Sequence, residues 1–311
     1  VRKLRPLHVA DLSRLVYGAP HKERRVPFSG EKAARVAAAP PVTPTAGPSA
    51  MTTIIPAAAT LEGKKGLVLG IANDQSIAWG CARAFRALGA DLAVSYLNDK
   101  AKRFVEPLAQ QLEAEIFEPV DVTGEGELKA MFDKIGEKWG KLDFALHSIA
   151  FAPKEDLHGR VVDCSREGFQ QAMDVSCHSF IRMAKYAEPL MKDGGSLFTM
   201  SYFGANRVID NYGVMGPVKA ALEASVRYLA SELGPKGIRV HAISPGPIKT
   251  RAASGIAHFD ELMNKAAERA PEGRLVTIEE VGYTTAFLAT DGAKGITGDT
   301  TYVDCGYSII G

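Results

Sequence analysis

The sequence predicts a single α/β domain in which a parallel sheet is covered by helices on both faces. From Leu61 onward, short apolar runs rich in Val, Ile and Leu recur without polar alternation, as strands buried on both faces do. Segments with helical periodicity separate them, and strands that alternate with helices join through right-handed crossovers into parallel sheets. Glycine-rich and polar segments fall where those strands end. Together these features predict a Rossmann-like, doubly wound fold.

Taken in order, KGLVLGI (65–71) is the first expected strand, and IAWGCARAFRALGA (77–90) is the helix after it, ending at Gly89. DLAVSY (91–96) is the second strand, and a helix follows near 100–113. EIFEPVDV (115–122), LDFALHSI (142–149), GGSLFTMS (194–201) and GIRVHAIS (237–244) are further strands, with helices near 125–139, 166–191 and 212–234. TTYVDC (300–305) is the last strand, and the series contains no internal repeat and no second domain.

The 311 residues are 46% hydrophobic and 23% charged, ordinary values for a globular chain. Formal net charge is +1, but residues 1–50 hold nine Lys/Arg against three Asp/Glu, which leaves the remainder near −5. That mildly acidic body has no basic footprint of a nucleic-acid binder. No apolar run approaches the ~20 residues that cross a bilayer, so no membrane insertion is expected. Cys81, Cys164, Cys177 and Cys305 are scattered without CxxC spacing, which predicts a reduced, cytoplasmic chain with no metal site.

Residues 1–60 read as an extension: a basic stretch, then the Ala/Pro/Thr-rich AAAPPVTPTAGPSA (37–50), with the composition of a disordered linker. It lacks the apolar core of a secretory signal. A transit peptide, a basic tail and sequence upstream of the natural start all fit. The last is preferred, because Val1 is what a literally translated GTG codon would yield and the folded pattern begins shortly after Met51. The domain proper is then expected over 61–311.

In doubly wound sheets, ligands bind beyond the carboxyl ends of the strands, at the switch point. There the first strand runs into GIANDQSIAWG (70–80), where Gly70, Ala72, Ser76 and Ala78 are small. Small residues let backbone approach a pyrophosphate, and the next helix offers unpaired N–H groups and its dipole. Asp121 and Val122 close the third strand, a place for a carboxylate to accept from an adenine amino group. His147-Ser148-Ile149-Ala150 ends the fourth and would run along a nicotinamide ribose. SPGPIKT (244–250) ends the sixth, with Thr250 and backbone groups suited to a carboxamide and phosphates. After the second strand, Leu97 stands where NAD enzymes often carry an acid and NADP enzymes an arginine. With no cation there NAD(H) is preferred, while Lys100, Lys102 and Arg103 keep NADP(H) open.

The segment from Ser201 to Lys219 concentrates the reactive side chains: Tyr202 after the fifth strand, then Tyr212, then Lys219 seven positions further on. On a helix seven positions are two turns, about 10.5 Å of rise, so phenol and ammonium are expected on one face.

Four segments, the glycine-poor GIAxxxSIAxG turn, HSIAFAP (147–153), SYFGANRVIDNYGVMGPVKAALEASVRYLA (201–230) and GIRVHAISPGPIKTRAASGI (237–256), resemble bacterial enoyl-acyl-carrier-protein reductase of the NADH-dependent type. That family is a divergent branch of the short-chain dehydrogenase/reductase superfamily, and the likeness runs from about Leu61 to the C-terminus. Commoner superfamily members use Tyr-x3-Lys; this chain has Tyr-x6-Lys with a second tyrosine upstream. Cys305 stands where relatives usually have glycine.

The resemblance implies Tyr202 and Tyr212 as active-site tyrosines and Lys219 as the lysine that anchors the cofactor. It puts Gly70, Ser76, Ile77, Leu97, Asp121, Val122, Ile149, Ile248, Lys249, Thr250, Arg251 and Ala252 against the dinucleotide, and Ala152, Met215, Ile256 and Phe259 beside the acyl substrate. It implies NADH as cofactor, reduction of trans-2-enoyl thioesters in fatty acid biosynthesis, an acyl carrier protein as partner, and a homotetramer. Lys219 is expected to lower the Tyr212 pKa, and the longer spacing to hold the phenol about 5.4 Å further along the helix than in Tyr-x3-Lys enzymes. Ile256, Phe259, Leu262, Met263 and Ala266 share one helical face, suited equally to core packing and to a flap over an acyl chain. Lys249, Arg251, Lys265 and Arg269 are the cations expected to dock the acidic carrier. A reductase for another carbonyl or enone, and a dinucleotide sensor without turnover, are the competing readings.

Overall fold

The computed structural model describes residues 58–124, 126–250 and 259–310. Among them, β1 (Lys65–Leu69), β2 (Asp91–Tyr96), β3 (Ile116–Pro119), β4 (Phe144–His147), β5 (Gly195–Met200), β6 (Ile238–Pro245) and β7 (Thr300–Val303) form one sheet in the order β3-β2-β1-β4-β5-β6-β7. Every pairing is parallel. The chain moves outward from β1 to β3 and then returns to place β4 on the other side of β1, so the switch point lies between β1 and β4. The third and fourth strands are shorter than their apolar runs, because residues past Pro119 and His147 leave the ladder to form the loops of that edge.

Side chains alternate across the sheet into two cores. Leu67, Leu69 and Leu197 face α3 (Glu127–Trp139), α4 (Arg166–Met173), α5 (Ser179–Ala187) and α6 (Met215–Leu233). Val68, Phe198 and Met200 face α1 (Ile77–Ala87), α2 (Asp99–Gln111) and α8 (Ile278–Ala289). A further helix, α7 (Phe259–Arg269), precedes α8. The α1–α8 crossing is a backbone contact: a methyl on Gly80 would overlap the Ile278 carbonyl, and one on Gly282 the Gly80 carbonyl. Helix α8 lies outside the expected helices, although its start is written as a capping box. Thr277 Oγ1 accepts from the Glu280 N–H at 3.2 Å, and Glu280 Oε2 accepts from the Thr277 N–H at 2.9 Å.

Two helices depart from expectation. The one expected over 166–191 is interrupted between α4 and α5 by a π turn, Asp174–His178, a feature that often marks a functional region. Helix α6 begins at Met215, three residues later than expected.

Candidate active site

At the switch point, Gly70 adopts φ +103° and a methyl group there would overlap the Ser148 carbonyl. The ends of β1 and β4 therefore meet backbone to backbone, and no side chain fits between them. Ser76 is the N-cap residue of α1, but its hydroxyl donates to the Asn73 carbonyl at 2.7 Å and no side chain caps the first turn. The α1 N-terminus, opening at the half-buried Ile77, thus keeps N–H groups and a dipole for an anion.

The other predicted dinucleotide contacts lie along the same edge. Asp121 follows β3, with Oδ1 accepting from the Thr123 N–H at 2.8 Å and its hydroxyl at 2.7 Å. Val122 is buried, and its carbonyl accepts from Arg182 Nη2 at 2.7 Å. Ile149 and Ala152 are half-buried after β4, in a segment tied to the π turn: Ser176 Oγ accepts from the Phe151 N–H and donates to its carbonyl, both at 2.9 Å. Leu97 is 52% exposed. Nearby, Asn98 caps α2 through the Ala101 N–H at 3.1 Å, and the Lys102 ammonium lies 5.7 Å from the Tyr96 ring centroid.

Ile248 and Thr250 are half-buried beyond β6, where the buried Ser244 Oγ has no hydrogen-bond partner among the described residues. Lys249 is exposed and ion-paired to Asp260 at 3.0 Å, so the first of the cations expected to dock a carrier is already engaged. Arg269 lies over the Tyr307 ring at 5.9 Å. Arg251, Ala252 and Ile256 lie outside the described residues; Phe259 opens α7, and its side chain also lies outside them. Met215, expected at the substrate, is the buried first residue of α6 and packs into the core.

Lys219 is 5% exposed and donates from Nζ to the Met200 carbonyl, at the end of β5, at 2.6 Å. Burial pushes its pKa down to about 8, against the opposing pull of Cys177 and Glu223. Tyr212 is not on the helix. It sits in the turn before α6, between Asn211 at φ 62° and Gly213 at φ 51°, both left-handed. A methyl on Gly213 would lie 2.8 Å from the Leu157 carbonyl. The expected two-turn rise along one helix face is therefore corrected: left-handed residues stop the helix short of Tyr212.

Its ring instead packs on Tyr202, with centroids 4.9 Å apart and planes inclined by 60°. Gly204 makes that contact possible, since a methyl there would lie 2.5 Å from the Tyr212 ring and 3.3 Å from Tyr202. Burial raises the Tyr212 phenol well above the usual tyrosine range, with Tyr202 and Glu223 adding to the effect. The expected lowering by Lys219 is not met, and the phenol is a proton-bearing donor at neutral pH. Burial raises Tyr202 likewise, and its buried hydroxyl has no partner among the described residues. An orphaned buried hydroxyl costs about 1–3 kcal/mol until something bonds it. The edge thus fits a dinucleotide and a polar substrate: a cradle that a Cβ would fill at Gly70, an uncapped helix start, and orphaned hydroxyls at Tyr202 and Ser244.

Gly204, Ser176 and Glu223 shape this site without having been singled out from the sequence. Gly204 is the one with a visible signal, a glycine between a strand end and a predicted active-site tyrosine.

A family profile described as enoyl-(acyl carrier protein) reductase matches residues 70–308. The chain is 48% identical over 255 residues to the NADH enoyl-[acyl-carrier-protein] reductase 1 of Rhizobium meliloti, covering 82% of this chain and 94% of that protein. Among solved structures, the Anaplasma phagocytophilum enoyl-(acyl-carrier-protein) reductase in complex with NAD is similar at TM-score 0.78 and 47% identity, over 81% of this chain and 96% of that one. The Bacillus cereus enoyl-acyl carrier protein reductase, with NADP+ and indole naphthyridinone, is similar at TM-score 0.79 and 46% identity, over 81% and 98%. On this likeness of sequence and fold, the chain belongs to the enoyl-(acyl carrier protein) reductase family.

Proposed function

We propose that the chain catalyses NADH-dependent reduction of trans-2-enoyl-acyl-carrier-protein thioesters to saturated acyl thioesters, a step of fatty acid biosynthesis. The observation that carries this reading is the tilted, proton-bearing Tyr202–Tyr212 pair, which follows directly on the β5 end whose Met200 carbonyl the buried Lys219 holds. When bound, NADH supplies the hydride for the β-carbon of the enoyl thioester. Negative charge then develops on the thioester oxygen until the α-carbon takes up a proton, and the chain's task is to meet that charge with preorganised donors. Tyr212 is that donor: desolvation keeps its proton in place until charge appears nearby. The unpartnered Tyr202 hydroxyl supports the same oxygen or the Tyr212 phenol. Lys219 spends one N–H on Met200 and keeps two for the nicotinamide ribose.

The dinucleotide contacts in this reading are Gly70, Ser76, Ile77, Leu97, Asp121, Val122, Ile149 and 248–252, and Ala152, Met215, Ile256 and Phe259 flank the acyl chain. An acyl carrier protein is the partner, and the enzyme is a cytoplasmic homotetramer whose catalytic domain spans 61–311. No described helix is long and apolar enough to cross a membrane.

The deciding experiment follows the loss of reduced-cofactor absorbance with crotonyl-CoA, against a panel of ketones and aldehydes, with NADH and then NADPH. Turnover of the enoyl thioester with NADH is expected. Turnover confined to carbonyl compounds, or NADH binding without any turnover, would overturn the reading.

A further inference from the structure

Lys219 is not the only charge buried on α6. Glu223, one turn further on, is 5% exposed. A buried carboxylate is costly unless its oxygens are hydrogen-bonded. Its donors here come from one short segment: Ser201 Oγ donates to Oε1 at 2.6 Å, and Asn206 Nδ2 donates to Oε2 at 3.0 Å. Asn206 Nδ2 also lies 3.0 Å from the Tyr302 hydroxyl on β7.

Ser201 directly follows Met200, whose carbonyl takes the Lys219 ammonium. Two charged side chains one helical turn apart therefore grip consecutive residues at the end of β5. Between Ser201 and Asn206 lie Tyr202 and the 3-10 turn Phe203–Ala205, which includes the Gly204 that packs under Tyr212. Both ends of this loop are thus tied to a single carboxylate.

We propose that Glu223 is a positioning residue for the tyrosine pair, closing the 201–206 loop through Ser201 and Asn206 and so holding Tyr202 and Gly204 against Tyr212. The carboxylate reaches the chemistry only through these neighbours. The kinetic consequence rests on the enoyl-reductase reading above; the geometric claim does not.

Two variants separate loop closure from charge and from general stability. E223A removes both acceptors. E223Q keeps the shape, with the amide oxygen accepting from Asn206 and the amide nitrogen donating to Ser201. In E223A, kcat for crotonyl-CoA should fall at least about tenfold, since small displacements of reacting groups are costly, while KM for NADH changes less than about threefold. Exchange of the Ala205 and Asn206 amides, which bond the Tyr202 and Phe203 carbonyls at 2.9 and 3.0 Å, should speed at least about tenfold, with strand amides unchanged. E223Q should restore both readouts to within about threefold of the native chain.

Native kcat and native exchange in E223A would overturn the proposal. So would protection lost equally across the sheet, the mark of a purely structural role, or E223Q as damaging as E223A, which would place the effect in the charge. If the native chain does not reduce crotonyl-CoA, the enoyl-reductase reading fails, and the exchange measurement alone decides the role of Glu223.

Discussion

After β1 the chain turns through Gly70, where one added carbon would overlap the Ser148 carbonyl; after β5 it runs through Tyr202, whose buried hydroxyl has no partner among the described residues. Both are strand ends on the same edge of one parallel sheet. The first is closed to side chains, so whatever binds there is met by backbone and by a helix N-terminus. The second is crowded with side chains yet leaves polar groups unsatisfied. A change at the first should act through sterics on the fold and on binding; a change at the second should act on chemistry and spare the fold.

The largest expected effect tests the closed end. Gly70→Ala must hold a left-handed backbone, at about 1–2 kcal/mol, and relieve an overlap at about 1–3 kcal/mol. A loss of about 3 kcal/mol in urea unfolding is expected, and a variant within about 1 kcal/mol of the native chain would break the comparison.

Tyr212→Phe tests the open end. Removing one preorganised donor costs about 100-fold in kcat, equivalent to about 2.7 kcal/mol, with little change in unfolding midpoint or in KM for NADH. Steady-state kinetics beside thermal denaturation would show whether chemistry and stability separate in this way; a matched fall in both would not support it.

The smallest effect sharpens the same distinction through pH. Burial lowers the Lys219 pKa to about 8, so the ammonium is mostly charged at neutral pH and loses its proton as pH rises through that value. If the charged form holds the ribose, kcat/KM for NADH should halve near pH 8 and fall about tenfold per further unit. A flat profile to about pH 10, the ordinary lysine range, would show that the ammonium keeps its usual pKa and overturn the lowering by burial.

Much of this architecture was legible in local pattern. Apolar runs at 65–71, 91–96 and 194–201 without polar alternation pair as β1, β2 and β5, because a strand buried on both faces has no reason to alternate. The capping box that begins α8 is equally local, written in Thr277 and Glu280. The candidate site was less legible. A Tyr–Lys separation of seven residues reads as two turns of one helix, but Asn211 and Gly213 are left-handed and put Tyr212 in the turn ahead of it. The π turn that delivers Ser176 to Phe151 carries no periodic signal. Glu223, in a sequence that reads as ordinary helix, is buried because Ser201 and Asn206 fold back onto it.

What the sequence alone determined is the succession of the strands, their alternation with helices and the chemistry of the groups set at the strand ends. Hydrophobic period and spacing encode these within a few residues of one another. Only the tertiary structure decided which of those groups lose water: the raised phenol of Tyr212, the lowered ammonium of Lys219 and the orphaned hydroxyl of Tyr202. Desolvation depends on residues distant in the chain arriving at one place, and no local window contains that information. At the end of β5 this is the difference between a tyrosine near a lysine and a donor held ready for charge.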